Sequence, residues 1–376
     1  MQSYQFLRDT YQGKTVLVTG HTGFKGSWLC HTLLALGARV VGVSLPPRTY
    51  RDIFVVTGLQ DMVEHHEFDI RDSDRVRALM QQVSPDIVFH LAAQPLVRHS
   101  YDEPLATITT NVIGTTNVLE AIRQTATVKA AVIITTDKVY ENKEIDYGYR
   151  EHDPLGGYDP YSGSKAAADI VAQSYIRSFF NPTQYGERHT TLVAIARAGN
   201  VIGGGDWSPD RIIPDIMRSV LDSGSDVLIR SPFAVRPWEH VLEPVSGYLA
   251  LGARLVKGET EFSGAWNFGP DHDLWLPVGE MVQRVLTLFE QKTAWRGTMQ
   301  CDEHHDGAKH EAGLLTLDVT KANRRLGWRS QWDIDTTLTQ TVMWYAQVAE
   351  DLCTAREVTL QQINSYFNNF SEGERP

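Results

Sequence analysis

Short runs of apolar residues alternate with longer segments of mixed polarity through residues 1–200. Each run is apolar on both sides, which is typical of strands buried on both faces of a parallel sheet. The intervening segments have the spacing of amphipathic helices. The pattern predicts strands at 14–19, 39–43, 86–91, 129–135 and 191–197, a short strand ending near 68–69, and helices after the first strand and at 73–83, 105–124 and 161–180.

Strands that alternate with helices predict an α/β fold with a doubly wound parallel (Rossmann-type) sheet. The alternation stops near residue 200, where Gly203-Gly204-Gly205 begins an irregular stretch with several prolines. We expect residues 1–200, with later segments near 237–265, to form the sheet domain. Residues 201–236 and 266–365 are expected to form a smaller mixed α/β lobe, and 366–376 a polar tail.

Composition narrows the possible partners and the compartment. The chain has 376 residues and a formal net charge of −11, which argues against a nucleic acid or an anionic membrane as partner. Its three cysteines, Cys30, Cys301 and Cys353, are odd in number and widely spaced, so we expect a reducing compartment without disulfides. No apolar run approaches the length of about 20 residues that crosses a bilayer. The first residues also lack the apolar core of a secretion signal, so a cytoplasmic location is expected.

A glycine-rich run, Gly20-His21-Thr22-Gly23-Phe24-Lys25-Gly26, connects the first predicted strand to the following helix. Glycines at such a turn let the backbone approach a pyrophosphate, and the helix start supplies free N–H groups. The run therefore predicts a bound dinucleotide. The second strand ends at Val43-Ser44 without the acidic residue that favours NAD. Ser44 can bond a ribose hydroxyl and Arg48 suits a phosphate, so the residues alone leave NAD and NADP open.

Tyr161 and Lys165 are spaced by one helical turn and share a helix face. Tyrosine has an ordinary pKa of about 10, so a nearby cation is needed before it acts as a base at neutral pH. We expect Lys165 to supply that cation and to reach the nicotinamide ribose. The pair predicts oxidation of a hydroxyl-bearing substrate.

The segment Thr135-Thr136-Asp137-Lys138 follows the fifth predicted strand, at the sheet edge where ligands bind in open α/β folds. We expect Thr136 to bond a substrate hydroxyl and Asp137 to act as a general acid. Lys138 can act as a base only if its surroundings remove its charge near neutral pH. A run of acidic residues and histidines, Asp302-Glu303-His304-His305-Asp306 with His310, lacks regular ligand spacing and predicts a polar loop rather than a metal site.

Over most of its length the chain resembles the extended short-chain dehydrogenase/reductase family, and within it the nucleotide-sugar 4,6-dehydratases. The resemblance rests on Gly20 to Gly26, Asp69-Ile70, His90-Leu91-Ala92-Ala93-Gln94, Thr110-Asn111 with Gly114-Thr115, Thr136-Asp137, Tyr161 with Lys165, and Arg197 with Asn200. The runs GHTGFKGSWL, TTDKVYEN, RAGNVIGGGDW and RPWEHVLEP are typical of the branch that acts on CDP-glucose.

The resemblance implies NAD as a cofactor that stays bound through an internal redox cycle. Tyr161 takes the proton of the sugar 4-hydroxyl while hydride leaves carbon 4; Asp137 then protonates the departing 6-hydroxyl, and hydride returns to carbon 6. The product is a 4-keto-6-deoxy sugar, of the kind used in bacterial surface polysaccharides such as the lipopolysaccharide O-antigen. Lys138 stands where dTDP-glucose enzymes carry a glutamate base, so the base at carbon 5 stays open between Lys138, another group and a water molecule.

The resemblance also assigns binding residues. Those expected at the cofactor are Gly20, His21, Thr22, Gly23, Phe24, Lys25, Gly26, Ser44, Asp69, Ile70, Leu91, Ala92, Ala93, Gln94, Asn111, Tyr161 and Lys165. Those expected at the CDP-sugar are Thr136, Asn200, Arg211 and Arg236, since arginine pairs well with phosphate. A homodimer is implied through the helices at 105–124 and 161–180, with Ile170, Tyr175, Ile176 and Phe179 as apolar positions that intrachain packing can equally use.

Three alternatives stay open. A nucleotide-sugar 4-epimerase would share the fold, Tyr161 and Lys165, but would not need an acid at Asp137. A 4,6-dehydratase for another nucleotide sugar, such as dTDP-glucose, GDP-glucose or GDP-mannose, would share the whole constellation. A non-catalytic dinucleotide sensor would not need the Tyr161 and Lys165 pair at all.

Overall fold

The structure, a computed structural model, describes residues 4–223, 226–229, 231–270, 275–293, 295, 298–301 and 314–368. The acidic and histidine-rich run at 302–310 and most of the predicted polar tail lie outside the described residues. The strands are β1 Thr15–Thr19, β2 Arg39–Ser44, β3 Glu64–Glu67, β4 Ile87–His90, β5 Ala130–Ile134, β6 Leu192–Ala198, β7 Asn200–Ile202, β8 Val227–Ile229, β9 Val235–His240, β10 Gly264–Phe268, β11 Trp275–Pro277 and β12 Met299–Cys301.

The α-helices connect these strands and cover both faces of the sheet. They are α1 Tyr4–Tyr11, α2 Phe24–Ala35, α3 Ile53–Val56, α4 Ser73–Val83, α5 Val97–Asp102, α6 Pro104–Ile108, α7 Thr115–Arg123, α8 Pro160–Ser178, α9 Ile212–Arg218, α10 Leu242–Val256, α11 Val278–Lys292, α12 Ile334–Glu350 and α13 Ala355–Asn368. Among the described residues, no helix is both long and apolar enough to span a bilayer.

A seven-stranded parallel sheet in the order β10-β6-β5-β4-β1-β2-β3 confirms the predicted α/β fold class. Alternate residues of one strand enter different cores: Val16 and Val18 of β1 join the core that includes α2 and α10, whereas Leu17 joins the core with α4 and α7. Burial on both faces explains why the strands read as continuous apolar runs. The seventh strand, β10, comes from the C-terminal half and pairs with β6.

The helix predicted at 105–124 is helical but not a single α-helix. After α6, residues Thr109–Gly114 form a wide π-helical turn before α7 begins. At the end of this turn, a Cβ on Gly114 would lie 2.5 Å from Cδ1 of Ile70, so a larger residue there would require the Ile70 side chain to move. The turn also buries Asn111. Such π turns occur often at functional sites, and a helical repeat in the sequence does not reveal them.

Smaller sheets lie beyond the carboxyl ends of the main sheet strands. A three-stranded mixed sheet has the order β11-β9-β7, and β12 pairs with β8 in a two-stranded parallel sheet. Helices α11 and α12 pack against each other, and α12 also packs on β9. These elements face the main sheet across the cleft that holds the candidate site.

Candidate active site

A cleft of about 610 Å³ follows the carboxyl ends of the main sheet strands and continues under the smaller sheet. Most residues predicted to bind cofactor or substrate line it: Gly20, Thr22, Gly23, Phe24, Lys25, Gly26, Ser44, Asp69, Ile70, Leu91, Ala92, Ala93, Thr136, Lys138, Tyr161, Lys165, Asn200, Arg211 and Arg236. The cleft lining does not include His21, Gln94, Asn111 or Asp137. The sequence motifs, which are far apart along the chain, therefore meet at one place.

The glycine run fits a dinucleotide because side chains would fill its turn. Gly20 has a φ of +80°, and a Cβ there would lie 2.7 Å from the backbone nitrogen of Ala92. A Cβ on Gly26 would lie 2.1 Å from the carbonyl oxygen of Gly20. Helix α2 begins after Gly23 without a side-chain cap, so its first N–H groups are left for an anion at the cleft.

His21 lies behind the glycine run rather than in the cleft. Its ring covers Gly42 of β2, where a Cβ would lie 2.3 Å from the ring atoms, and its Nε2 is 2.7 Å from Nδ1 of His65. Burial lowers the pKa of His21 to about 3, so the ring is neutral. This histidine shapes the turn through packing.

Ser44 is oriented by Thr22 at the end of β2. The Thr22 hydroxyl donates to the carbonyl oxygen of Leu45 at 2.9 Å and lies 2.7 Å from the Ser44 hydroxyl. Because Thr22 has only one proton, Ser44 is the donor in that bond. Ser44 therefore presents acceptor lone pairs, which suit a ribose hydroxyl better than a phosphate.

Gln94 and Asn111 are buried beneath the cleft and bonded to each other. The backbone nitrogen of Gln94 donates to Oδ1 of Asn111 at 2.8 Å, and Nδ2 of Asn111 donates to the Ser164 hydroxyl at 2.8 Å. These bonds hold the segment after β4 against α8. Their role is to position neighbouring residues that do line the cleft.

Tyr161 and Lys165 occupy the first turns of α8, whose N-cap residue Asp159 accepts from the backbone nitrogen of Ser162. Nζ of Lys165 donates to the carbonyl oxygen of Ile134 at 2.9 Å, and burial lowers the pKa of Lys165 to about 8. Burial raises the pKa of Tyr161 to about 12. The influences that oppose this rise are a hydrogen bond with Thr136 and the charge of Arg211. In the protein without its ligands, burial thus outweighs the nearby charges at Tyr161. The expectation that Lys165 favours the phenolate form stays a prediction.

Asp137 lies just under the cleft surface, with only 1% of its side chain exposed. The Thr136 hydroxyl donates to its Oδ1 at 2.8 Å, and Nζ of Lys138 is 3.5 Å from the same oxygen. Among the described residues, Oδ2 of Asp137 has no hydrogen-bond partner. One carboxyl oxygen is thus held by a hydrogen bond from Thr136, while the other is buried without one.

An ion pair that the sequence reasoning missed supports α8 from below. Arg197 of β6 is fully buried and donates twice to Asp169, from Nε at 2.8 Å and from Nη2 at 2.7 Å. The Thr135 hydroxyl donates to the same carboxylate at 3.0 Å. Two features of the sequence could have indicated this ion pair: Asp169 is one helical turn after Lys165, and Arg197 lies near the end of an apolar strand.

The two cations expected at the substrate diphosphate, Arg211 and Arg236, both line the cleft. Nη1 of Arg211 donates to Oδ2 of Asp206 at 2.9 Å, which fixes the guanidinium beside Tyr161. Arg236 lies on β9 and Asn200 on the adjacent strand β7, opposite Trp238. Within the described parts of the chain, no cluster of three or more His, Cys, Asp or Glu side chains is arranged to hold a metal ion.

Comparisons with known proteins agree with this geometry. A family model described as GDP-mannose 4,6 dehydratase matches residues 17–341. The CDP-glucose 4,6-dehydratase of Salmonella typhimurium is 46% identical over 356 residues, which cover 94% of this chain and 97% of the relative. A dTDP-glucose 4,6-dehydratase of Streptomyces antibioticus is 30% identical over 337 residues, covering 88% of this chain and 92% of the relative.

Solved structures show the same fold. DesIV, a dTDP-glucose 4,6-dehydratase from Streptomyces venezuelae with NAD and TYD bound, has a TM-score of 0.72 and 26% identity, and the match covers 89% of this chain and 97% of DesIV. The epimerase Mth375 from Methanothermobacter thermautotrophicus, at 23% identity and a TM-score of 0.76 over 93% of this chain and 96% of its own, shares the fold alone. Because the family model spans most of the sequence, this chain belongs to the GDP-mannose 4,6 dehydratase family.

Proposed function

We propose that this protein is an NAD-dependent CDP-glucose 4,6-dehydratase, which converts CDP-D-glucose to CDP-4-keto-6-deoxy-D-glucose and water. The observation that carries the proposal is the placement of a buried carboxyl group, Asp137, just behind the cleft lining, where its charge acts on Tyr161. A dehydratase needs this acid, whereas a 4-epimerase does not. The 46% identity to the Salmonella typhimurium CDP-glucose enzyme supports the choice of nucleotide.

The cleft residues fit NAD at the amino-terminal half. The free N–H groups of α2 and the open turn at Gly20 and Gly26 would hold the diphosphate, and Ser44 would accept from a ribose hydroxyl. Lys165 would reach the second ribose. NAD, when bound, supplies the redox chemistry: it oxidises carbon 4 of the sugar and later reduces carbon 6.

Tyr161 removes the proton from the sugar 4-hydroxyl during oxidation. Its raised pKa makes the phenolate a strong proton acceptor once it has formed. The hydroxyl of Thr136 bonds Tyr161 and lies where it can also orient the sugar hydroxyl. The 4-ketone that results acidifies the proton on carbon 5.

Asp137 protonates the leaving 6-hydroxyl, and a base removes the proton from carbon 5. Lys138 is one candidate for the base because it lines the cleft, with its Nζ 3.5 Å from Oδ1 of Asp137. It can accept the proton only as the neutral amine, so it would first have to give up its ammonium proton. Another group or a water molecule is the alternative. The same base returns its proton to carbon 5 when carbon 6 is reduced.

Proton balance over one turnover assigns a second task to Thr136. Tyr161 gains one proton during oxidation and Asp137 loses one during elimination, so a proton must pass from the tyrosine to the carboxylate before the next cycle. Thr136 bonds both groups and is 2.8 Å from Oδ1 of Asp137. We propose that its hydroxyl carries this proton.

The substrate diphosphate would pair with Arg211 and Arg236, and Asn200 would bond the adjacent phosphate or sugar oxygens. The sugar would then reach across Tyr161 and Asp137.

We also propose a homodimer through the face formed by α6, the π turn and α8. Five large apolar side chains are exposed there, Leu105, Ile108, Ile113, Ile170 and Phe179. Of the positions expected from the sequence, Ile176 is instead buried in the intrachain core and Tyr175 packs partly against it. A patch of this kind on a folded protein commonly marks an interaction surface.

The proposed location is a reducing, cytoplasmic compartment, where nucleotide sugars for surface polysaccharides such as the O-antigen would be modified. Cys30 is free and buried, and Cys353 is free and exposed. An exposed free thiol is typical of reducing surroundings.

A substrate panel tests the function. The purified protein, with added NAD, is offered CDP-glucose, dTDP-glucose, UDP-glucose, GDP-glucose and GDP-mannose, and products are weighed by mass spectrometry. We expect CDP-glucose alone to lose one water at an appreciable rate. If only another nucleotide sugar lost water, that sugar and not CDP-glucose would be the substrate. An epimer without water loss would favour a 4-epimerase, and NAD binding without turnover of any sugar would favour a sensor.

A further inference from the structure

Glu239 is a buried carboxyl group that the proposed chemistry does not use. It lies on β9 with none of its surface exposed, between Trp238 and His240. Neither of its side-chain oxygens has a hydrogen-bond partner among the described residues. Burial of an uncompensated carboxylate is costly, so Glu239 either takes up a proton or has a cation nearby.

The strand that pairs with β9 places Glu239 close to the site. Gly199, directly before β7, lies beside Asp137, since a Cβ there would be 3.5 Å from Oδ2. Gly203, directly after β7, lies against the cofactor loop, since a Cβ there would be 3.2 Å from Cζ of Phe24. Glu239 is opposite the middle residue of β7 and so lies between these two places.

Charges from several elements act on Glu239. Burial raises the pKa of Glu239 well above its ordinary value, and the charge of Lys25 on α2 opposes the rise. Glu243 and Asp137 act in the same direction as burial. Tyr248 of α10 and Tyr366 of α13 also interact with the carboxyl group. Lys25 is therefore a cation whose charge favours the ionised form of Glu239.

Glu239 in turn affects the pKa of Lys25. Burial lowers the pKa of Lys25 to about 8, and Glu239 is the largest influence that opposes this fall. Arg211 and Lys138 act in the same direction as burial. Lys25 itself lines the cleft within the glycine run. Without Glu239, the lysine would be left among other cations with only Asp137 to offset them.

We infer that Glu239 is a positioning residue that serves as the buried counter-charge of Lys25 and keeps the cofactor loop electrically balanced. The charges of the two groups act on each other without a hydrogen bond, since neither oxygen of Glu239 has a hydrogen-bond partner among the described residues. With one proton shared between them, the pair is neutral both as ammonium with carboxylate and as amine with carboxylic acid. The inference rests on the proposed dinucleotide site but not on the identity of the sugar.

The consequence concerns the redox state of the cofactor. NAD in its oxidised form carries a positive nicotinamide and in its reduced form a neutral one, whereas the diphosphate is the same in both. An unbalanced ammonium at the loop would therefore disfavour the oxidised form selectively. Changes in packing, or in the attraction of Lys25 for phosphate, alter the binding of both cofactor forms equally. The ratio of the oxidised to the reduced dissociation constant therefore reports the effect of the nicotinamide charge alone.

The test measures binding of both cofactor forms by calorimetry to the full-length protein and to Glu239→Gln, Lys25→Met and the double variant. The pH is about 7, where Lys25, with a pKa of about 8, still carries its proton and Glu239 is less readily protonated than in acid. We expect Glu239→Gln to raise the ratio of the oxidised to the reduced dissociation constant about tenfold. The double variant should return the ratio to that of Lys25→Met. If Glu239→Gln does not fold, recovery of a folded protein in the double variant gives the same support.

Glu243→Gln is the matched control. Glu243 is also buried, but it accepts hydrogen bonds from the backbone nitrogens of Gln331 and Trp332 and from the Tyr366 hydroxyl. Its replacement should lower the melting temperature and leave the cofactor ratio unchanged. An unchanged ratio in Glu239→Gln, or equal effects of that change with and without Lys25, would overturn the inference. Failure of every variant and of the wild type to bind either cofactor form would instead refute the dinucleotide site.

Discussion

Burial is the dominant influence on the individual side chains of this site. It raises the pKa of Tyr161 to about 12 and lowers the pKa of Lys165 to about 8. Both shifts favour the uncharged form of the side chain, as expected for groups removed from water. The tyrosine therefore needs help from its neighbours before it ionises, and each contribution can be measured by replacing one group.

Replacement of Tyr161, the proposed base for the 4-hydroxyl, gives the simplest prediction for a single residue. Tyr161→Phe keeps the ring but removes the proton acceptor, so turnover should fall by about 10²–10⁴-fold. NAD affinity, measured by calorimetry, should change little because the ring still fills its place. A variant that retained wild-type turnover would show that another group takes the proton of the 4-hydroxyl.

The pH dependence of turnover reports on Lys165. Below about pH 8 the buried lysine is a cation that favours the phenolate form of Tyr161, and above it the cation is lost. We therefore expect the turnover rate to fall as the pH rises through 8. Lys165→Arg keeps its charge to high pH, so any activity it retains should lack this alkaline decline.

Lys25 has a pKa lowered to a similar value by burial, so it provides the control. The alkaline decline should persist in Lys25→Met. If the decline instead disappeared in that variant and persisted in Lys165→Arg, the titrating group would be Lys25.

At the scale of the elements, α8 carries the catalytic pair and is braced by one buried ion pair to the sheet. Asp169→Asn would leave the guanidinium of Arg197 buried without its counter-charge. The free energy of unfolding should fall by about 3–5 kcal/mol, measured by urea denaturation. The exposed pair of Arg123 with Glu120 is the control, and Arg123→Gln should cost less than about 1 kcal/mol. Equal losses in the two variants would contradict the proposed brace.

The sequence predicted those elements whose pattern depends on burial alone. The strands of the main sheet are apolar on both sides because each lies between two cores, so β1, β4 and β5 were located to within about two residues. The π turn at Thr109–Gly114 instead packs Gly114 against Ile70, which is distant in sequence. No local pattern records such a contact, and the single helix predicted there was wrong in this detail.

In the candidate site, too, residues identified by local spacing were predicted, and a residue whose role depends on a distant contact was not. The glycine run, Tyr161 and Lys165 were found because their spacing is fixed within one turn or one helix. Glu239 was missed because its importance comes from Lys25, more than 200 residues earlier in the chain. A carboxylate between Trp238 and His240 was the only local signal. His21 was grouped with the cofactor loop, although the fold turns its ring onto Gly42.

For the whole molecule, the exposed apolar face on α6, the π turn and α8 predicts self-association. Leu105 is 74% exposed, so Leu105→Glu should not disturb the folded chain but should weaken a dimer formed through this face. Sedimentation velocity should show a dimer for the wild type and a shift towards monomer for the variant. Leu228, which is 61% exposed on the smaller lobe, is the control, and Leu228→Glu should remain dimeric. A monomeric wild type at about micromolar concentration would contradict the homodimer.

The internal redox cycle is the central claim, and the fate of the hydrogen on carbon 4 tests it most directly. CDP-glucose labelled with deuterium at carbon 4 is converted by the purified protein, and the product is examined by NMR and mass spectrometry. The account predicts a product lighter by one water that carries the deuterium at carbon 6. Deuterium that stays at carbon 4 of an epimer, or that is lost to solvent, would contradict the account.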